Sequence, residues 1–429
     1  MHVTIVTAGG AGMFCGSCLH DNAWARGLRE AGVDVTLLPL YTPIRVDDED
    51  LTSTRIFYGG INVYLDQHVP GWRYLPRWLT RVLDSPRLIN WATGFGVSND
   101  AAELGAMTAA MLRGPNGPQA REGAELVRFL ARELKPDVVV FSNVMLAAEA
   151  ARLRSEFDGL ILCSLQGDDI FLEGLTEPWK SQAFELLRPI TAAIDGFLLH
   201  SRFYADFMGD YLGIPAAKRH LLPLAVDCRG HDGQPRPRGN PATIGYFARL
   251  APEKGLRELV LAGLELNRRR QDFRIVAGGY APPQFRTYFE EVQRLAAPLG
   301  DRFHYAGSPD TSAEKVALLK TFDVLSVPAP YREPKGLYVL EAWANGVPVV
   351  QPAHGHFPEL VEAAGGGLCV EPGNPAALAD GWSRLLDDEP LRRTLAEAGK
   401  EQVRIRHDLP ALAAHTQAML ATLRNGSGA

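Results

Sequence analysis

PAPYREPKGLYVLEAWANGVPVVQPAHGHFPE, residues 328–359, sets how the rest of the chain is read. Asp323-Val324-Leu325-Ser326-Val327, just before it, has the composition of a strand. Arg332 to Gly336 brings charge, Pro and Gly together, so the strand cannot continue. Leu337, Leu340 and Ala344 then recur at helical spacing, and Gly346 followed by Pro348 stops the helix. Val347 to Gln351 is apolar again and reads as the next strand. Strand, loop, helix and strand form an α/β crossover. Glu333 falls on its loop and Glu341 inside its helix. The first helical turn, Gly336, Leu337 and Tyr338, offers backbone N–H groups at the positive end of the helix dipole, which suits a phosphate. By themselves these residues also fit an ordinary crossover with two solvated glutamates.

The bulk properties narrow the class. A chain of 429 residues exceeds one compact core and predicts two or three domains. Its net charge of -6 argues against a general nucleic-acid binder. No apolar run is long enough to span a membrane, and Met1 leads straight into a strand rather than a signal peptide. The cysteines, Cys15, Cys18, Cys163, Cys228 and Cys369, are odd in number and scattered, which suits a reducing compartment. The expected location is the cytoplasm.

The chain opens with an apolar run, His2 to Thr7, a glycine-rich loop, AGGAGMFCGSC, a helix from about Leu19 to Ala31, and a second strand, Val33 to Leu40. That is the start of a doubly wound α/β domain with its loop on the ligand-binding rim. A nicotinamide site is disfavoured. Cys15 stands where the third glycine of G-x-G-x-x-G belongs, and no acidic residue ends the second strand. Cys15 and Cys18 form a lone C-x-x-C without a second ligand pair for zinc, and read best as part of a small-residue loop. His20, Asp21 and Asn22 follow at the start of the helix, facing the same rim. In residues 72–91 arginines interleave with aromatics, Arg73, Arg77 and Arg81 at helical spacing. This segment is a candidate for peripheral contact with an anionic membrane, with a core-facing helix as the simpler alternative. Further strands end at Ser142-Asn143 and at Gln166-Gly167-Asp168-Asp169, on the same rim as the glycine loop.

Cys228 to Pro241, CRGHDGQPRPRGNP, is polar, rich in Gly and Pro, and reads as a linker. A second α/β series follows. The strand Thr243 to Phe247 runs into Ala248-Arg249-Leu250-Ala251-Pro252-Glu253-Lys254-Gly255, a basic strand-to-helix loop. Arg249 and Lys254 there would neutralise a diphosphate.

Glu333, seven residues, Glu341, with Pro-x-Gly-Leu between and Gly-x-Pro after, resembles the donor-binding signature of retaining GT-B glycosyltransferases of family 4. The Arg249–Gly255 loop resembles that family's G-R-L-x-x-E-K-G, with Ala248 for the glycine. The resemblance implies two Rossmann-like doubly wound domains facing a central cleft. An acceptor-side domain takes residues 1–228, a donor domain residues 240–408, and a last helix, 409–425, packs back on the first. It implies a nucleotide-diphosphate-sugar donor and no metal cofactor. Arg249 and Lys254 would meet the diphosphate with the backbone at Gly336-Leu337 and Gly16, Glu333 the donor sugar, and Glu341 the ribose. A small-molecule, glycan or lipid-linked acceptor would lie near His20, Asn22, Asn143, Gln166 and Asp168. Besides Ala248, three positions depart from the pattern: Gln166 for a histidine, Lys335 for a phenylalanine and His356 for a glycine. They bear on the sugar end of the site. Other readings of the same cleft are a sugar phosphorylase or epimerase, and a nucleotide-sugar binding protein without catalysis.

Overall fold

The structure, a computed structural model, describes residues 1–9, 16–42, 44, 46, 49–53, 57 and 101–426. Residues 10–15 of the glycine loop and the 72–91 segment lie outside these residues. The described strands form two separate parallel sheets of six strands each.

The first sheet contains β1 (His2–Thr7), β2 (Asp34–Pro39), β3 (Val138–Phe141), β4 (Leu160–Ser164), β5 (Gly196–Leu199) and β6 (Arg219–Leu221). Their order is β2-β1-β3-β4-β5-β6. The runs VVVF and LILCS are buried at every residue, because helices cover both faces of a parallel sheet. Helix α1 (Gly16–Glu30) joins β1 to β2, and α2 (Asp168–Glu173) follows β4.

The second sheet contains β7 (Ala242–Phe247), β8 (Phe273–Gly278), β9 (Phe303–Tyr305), β10 (Val324–Leu325), β11 (Val349–Pro352) and β12 (Gly367–Val370), in the order β12-β11-β10-β7-β8-β9. Between the strands run α3 (Leu256–Asn267), α4 (Ser312–Leu319), α5 (Leu337–Ala344) and α6 (Phe357–Ala364). The direction of winding reverses between β7 and β10, which are neighbours. At such a switch point the loops beyond the two strands part and leave a crevice. The loop after β7 carries Arg249 and Lys254, and the loop after β10 carries Glu333.

Two tryptophans lock this region from behind. Trp382 Nε1 donates to Ser326 Oγ at 2.8 Å, and Ser326 Oγ donates to the Val350 carbonyl at 2.7 Å, joining the ends of β10 and β11. Trp343 on α5 is wholly buried and donates to the Gly366 carbonyl at 2.8 Å.

The chain divides into one unit of residues 1–200, 204–222 and 412 onward, and a second of 201–203 and 223–411. The closing helix, α7 (Leu409–Gly426), supplies Thr416, which accepts from Trp24 Nε1 on α1 at 3.0 Å. Residues 228–241, expected as a linker, have no regular structure, yet they are bound to the second unit. Lys400 donates to the Gly233 carbonyl, Arg236 to the Thr321 carbonyl, and Gly239 N–H to Asp323. Irregular backbone buried this way needs such partners, and side chains of the second unit provide them. No helix among the described residues is long and apolar enough to cross a membrane.

Candidate active site

The loop after β7 turns through a short 3-10 segment, Pro252–Lys254, and enters α3 at Gly255. Gly255 has φ +72°, and a Cβ there would lie 2.0 Å from the Pro328 carbonyl oxygen. Only glycine lets these two loops touch through their backbones. Gly355, with φ +62°, meets the backbone of Glu333 in the same way. Three loops, after β7, β10 and β11, therefore converge at Glu333.

Glu333 is 3% exposed and Glu341 7% exposed. Both are buried, which removes the alternative of two solvated glutamates. A buried carboxylate needs a partner, and each has its own lysine. Lys254 Nζ donates to Glu333 Oε2, and the Tyr338 phenol donates to the same oxygen at 3.4 Å. Burial alone raises the affinity of Glu333 for a proton, but the adjoining Lys254 outweighs it and holds the carboxyl below its usual range. Lys315 Nζ, on α4, lies 2.9 Å from Glu341 Oε1. Lys315 belongs to no recognisable motif. In the sequence it is one more lysine on an amphipathic helix, and only the fold brings it to Glu341.

Arg249 is exposed and pairs with Glu253 on its own loop. Gly336, with φ +82°, is the N-cap of α5, and Leu337 starts the helix. His356 braces the loop from beneath: its backbone N–H donates to the Glu333 carbonyl at 2.8 Å, and its Nδ1 to the Lys335 carbonyl at 2.8 Å. Burial lowers the affinity of His356 for a proton, so the neutral ring serves as this brace.

In the first unit, Gly16 is the exposed first residue of α1. His20 is 0% exposed, its ring 4.7 Å from that of His200. Asn22 is 2% exposed; its amide donates to the Glu49 carbonyl and accepts from Leu51 N–H, holding residues 49–51. Neither offers surface to a ligand. Gln166 Nε2 donates to Asp21 Oδ1 at 2.9 Å and to the Ser142 carbonyl at 3.3 Å, while Thr7 Oγ1 donates to Asp21 Oδ2 at 2.8 Å. The ends of β1, β3 and β4 are thereby tied through one buried aspartate. Asp168 accepts from the N–H groups of Val144 and Gln166 at 2.7 and 2.9 Å, yet burial pushes its carboxyl up to about 6. Asn143 accepts from Leu146 N–H and stays half-buried. Cys18 is buried, and its Sγ accepts from Thr7 Oγ1 at 3.8 Å. No cluster of three or more His, Cys, Asp or Glu side chains suited to a metal ion occurs among the described residues.

Residues 231–402 match the family described as Glycosyl transferases group 1. The chain is similar to the D-inositol 3-phosphate glycosyltransferase of Corynebacterium efficiens, 33% identical over 165 residues that make up 38% of each protein. It thus matches well under half the length of that relative. It is also similar to the GDP-mannose-dependent alpha-(1-6)-phosphatidylinositol monomannoside mannosyltransferase of Mycobacterium tuberculosis, 29% identical over 275 residues, 60% of this chain and 68% of the relative. In fold it resembles sucrose-phosphate synthase of Thermosynechococcus elongatus, with a TM-score of 0.69 at 18% identity over 99% of both chains. Anabaena HepE, solved with UDP, superposes with a TM-score of 0.65 at 16% identity over 98% of this chain and 100% of that one. Residues 231–402 are thus similar to the glycosyl transferases group 1 family, and the fold is that of the GT-B glycosyltransferases.

Proposed function

We propose that this protein is a retaining glycosyltransferase that moves a sugar from a nucleotide-diphosphate donor to an acceptor. The observation that carries the reading is the pair of buried carboxylates, Glu333 and Glu341, each held by a lysine beside the cationic loop at the switch point. Arg249 and Lys254 offset the charge that builds on the leaving diphosphate as its bond to the sugar breaks. Lys254 has three N–H donors, and Glu333 takes one of them. The start of α5 at Gly336-Leu337 adds backbone donors, and Gly16 is the phosphate contact read onto the first unit. Glu333 orients the sugar and Glu341 the ribose. Side chains meet the diphosphate in this scheme, so no metal is required and EDTA leaves turnover unchanged.

The acceptor is read onto the ends of β3 and β4, at Asn143, Gln166 and Asp168, with His20 and Asn22 supporting them from within. Two relatives are named for inositol-containing acceptors, one of them a lipid. A polyol phosphate and a lipid-linked polyol are accordingly the first acceptors to test.

The decisive experiment titrates wild type and Arg249→Ala with UDP, GDP and ADP by calorimetry, then assays the matching sugar donors. The variant should lose about tenfold or more in affinity, since it gives up a charge-assisted contact. Equal affinities would sink the diphosphate site. Sugar 1-phosphate released by inorganic phosphate would instead identify a phosphorylase. Binding without hydrolysis or transfer would leave a nucleotide-sugar binding protein, for which the departures at Gln166, Ala248 and Lys335 speak.

A further inference from the structure

Glu341 is a strange residue to bury on an eight-residue helix, and Lys315 is a strange partner to bury with it. Their side chains are 9% and 12% exposed. A buried ion pair seldom stabilises a fold more than an apolar pair of the same size would, so stability alone gives little reason for this one.

Both partners are fixed from behind. The first turn of α4 is held by a capping box: Glu314 N–H donates to Thr311 Oγ1 at 3.2 Å, and Thr311 N–H donates to the Glu314 carboxylate at 3.3 Å. Lys315 leaves that turn, its own N–H bonded to the Thr311 carbonyl at 3.1 Å. On the other side, the Glu341 carbonyl accepts from Asn345 Nδ2 at 3.0 Å, and Asn345 Oδ1 accepts from Gly233 N–H at 3.4 Å. Lys315 takes Oε1 of Glu341. Among the described residues Oε2 has no donor, and part of the side chain remains open to solvent. A carboxylate oxygen aimed outward and held still is an acceptor for hydroxyl groups.

We infer that Lys315 is a positioning residue for Glu341, engaging one carboxylate oxygen so that the other is presented to the ribose hydroxyls of the nucleotide. This rests on the nucleotide site proposed above. Without Lys315 the carboxylate keeps its place on α5 but loses its fixed direction and its counter-charge. Affinity should therefore fall in its ribose-dependent part, while the diphosphate-dependent part stays.

The test compares UDP, GDP and ADP with their 2′-deoxy and 3′-deoxy counterparts by calorimetry on wild type, Lys315→Met, Lys315→Gln and Lys315→Arg. Wild type should prefer the ribonucleotide over at least one deoxy counterpart by about tenfold, as a hydrogen bond to a charged group implies. Lys315→Met should bring that ratio close to one with the affinity for the deoxy form unchanged, and Lys315→Arg should restore most of it. If Lys315→Met does not fold, Lys315→Gln, which keeps a neutral donor on Oε1, should show an intermediate ratio. A merely structural lysine would alter stability and leave the ratio alone. An unchanged ratio in Lys315→Met or Lys315→Gln overturns the inference. So does a wild type that binds the diphosphates without ribose preference, although the diphosphate site would stand. A wild type that binds none of the three overturns the nucleotide site and this inference together.

Discussion

Glu333 has almost no contact with solvent, and Lys254 is what keeps it charged. Removing one partner of a buried pair strands the other, at a cost of about 3–5 kcal/mol. Lys254→Ala should therefore lose about that much stability in urea denaturation at neutral pH. Because the folded carboxyl titrates below its ordinary value, the pair stabilises the fold above that value and ceases to do so as pH falls through the folded one. The deficit of Lys254→Ala should accordingly shrink in acid. Lys254→Met with Glu333→Gln, which leaves no buried charge, should recover most of the loss. A Lys254→Ala protein within about 1 kcal/mol of wild type would mean that Glu333 is satisfied by other groups.

The site is made by elements that touch through their backbones. α3 can begin where it does because Gly255 has φ +72° and no side chain between it and the Pro328 carbonyl. Gly255→Ala puts a methyl group into that contact and into a conformation that L residues avoid. It should cost roughly 1–3 kcal/mol in a thermal or urea melt, with a parallel loss of nucleoside diphosphate affinity as Arg249 and Lys254 move off the loop after β10. Arg249→Ala makes the useful contrast. Its ion pair with Glu253 is exposed, so stability should stay within about 1 kcal/mol of wild type while affinity falls. Equal behaviour of the two variants would contradict a loop whose position and whose charge are separate contributions.

At the scale of the whole molecule, the two sheets repeat one plan, and the candidate donor residues fall at the switch point of the second because a reversal of winding opens a crevice there. The first unit holds its buried carboxylates less comfortably. Glu149 has a side chain 3% exposed and 3.6 Å from Arg152, and burial pushes its carboxyl from the ordinary 4.5 to about 7. The folded state then binds a proton that the unfolded state has already released. Stability from this group consequently falls as pH rises from about 4.5 to about 7. Glu149→Gln removes the titration, so its stability relative to wild type should grow between pH 5 and pH 8, by roughly 1–3 kcal/mol. Urea denaturation at both pH values measures it, and a constant difference would show that Glu149 ionises without penalty.

Much of this was legible in the residues alone. Parallel strands buried on both faces must be apolar throughout, so β3, β4 and β7 stand out as runs; turns at Gly346 and Gly255 require glycine, so the boundaries of α5 and α3 stand out as well. The Glu333–Glu341 spacing and the Arg249–Lys254 loop are local patterns, and local patterns survive in a linear text. Burial and pairing do not. Whether Glu333 is solvated or sealed depends on Gly355 and Tyr338. Whether residues 228–241 hang free depends on Lys400 and Asp323, and the interior place of His20 and Asn22 depends on what packs over α1. Lys315 is the clearest case: it stands 26 positions before Glu341, on a different helix, with nothing local to mark it. The alternation of elements and the residue types at the site are written into the order of the residues. Which charges meet is set by the fold, because an ion pair depends on a distance across space that no spacing along the chain records.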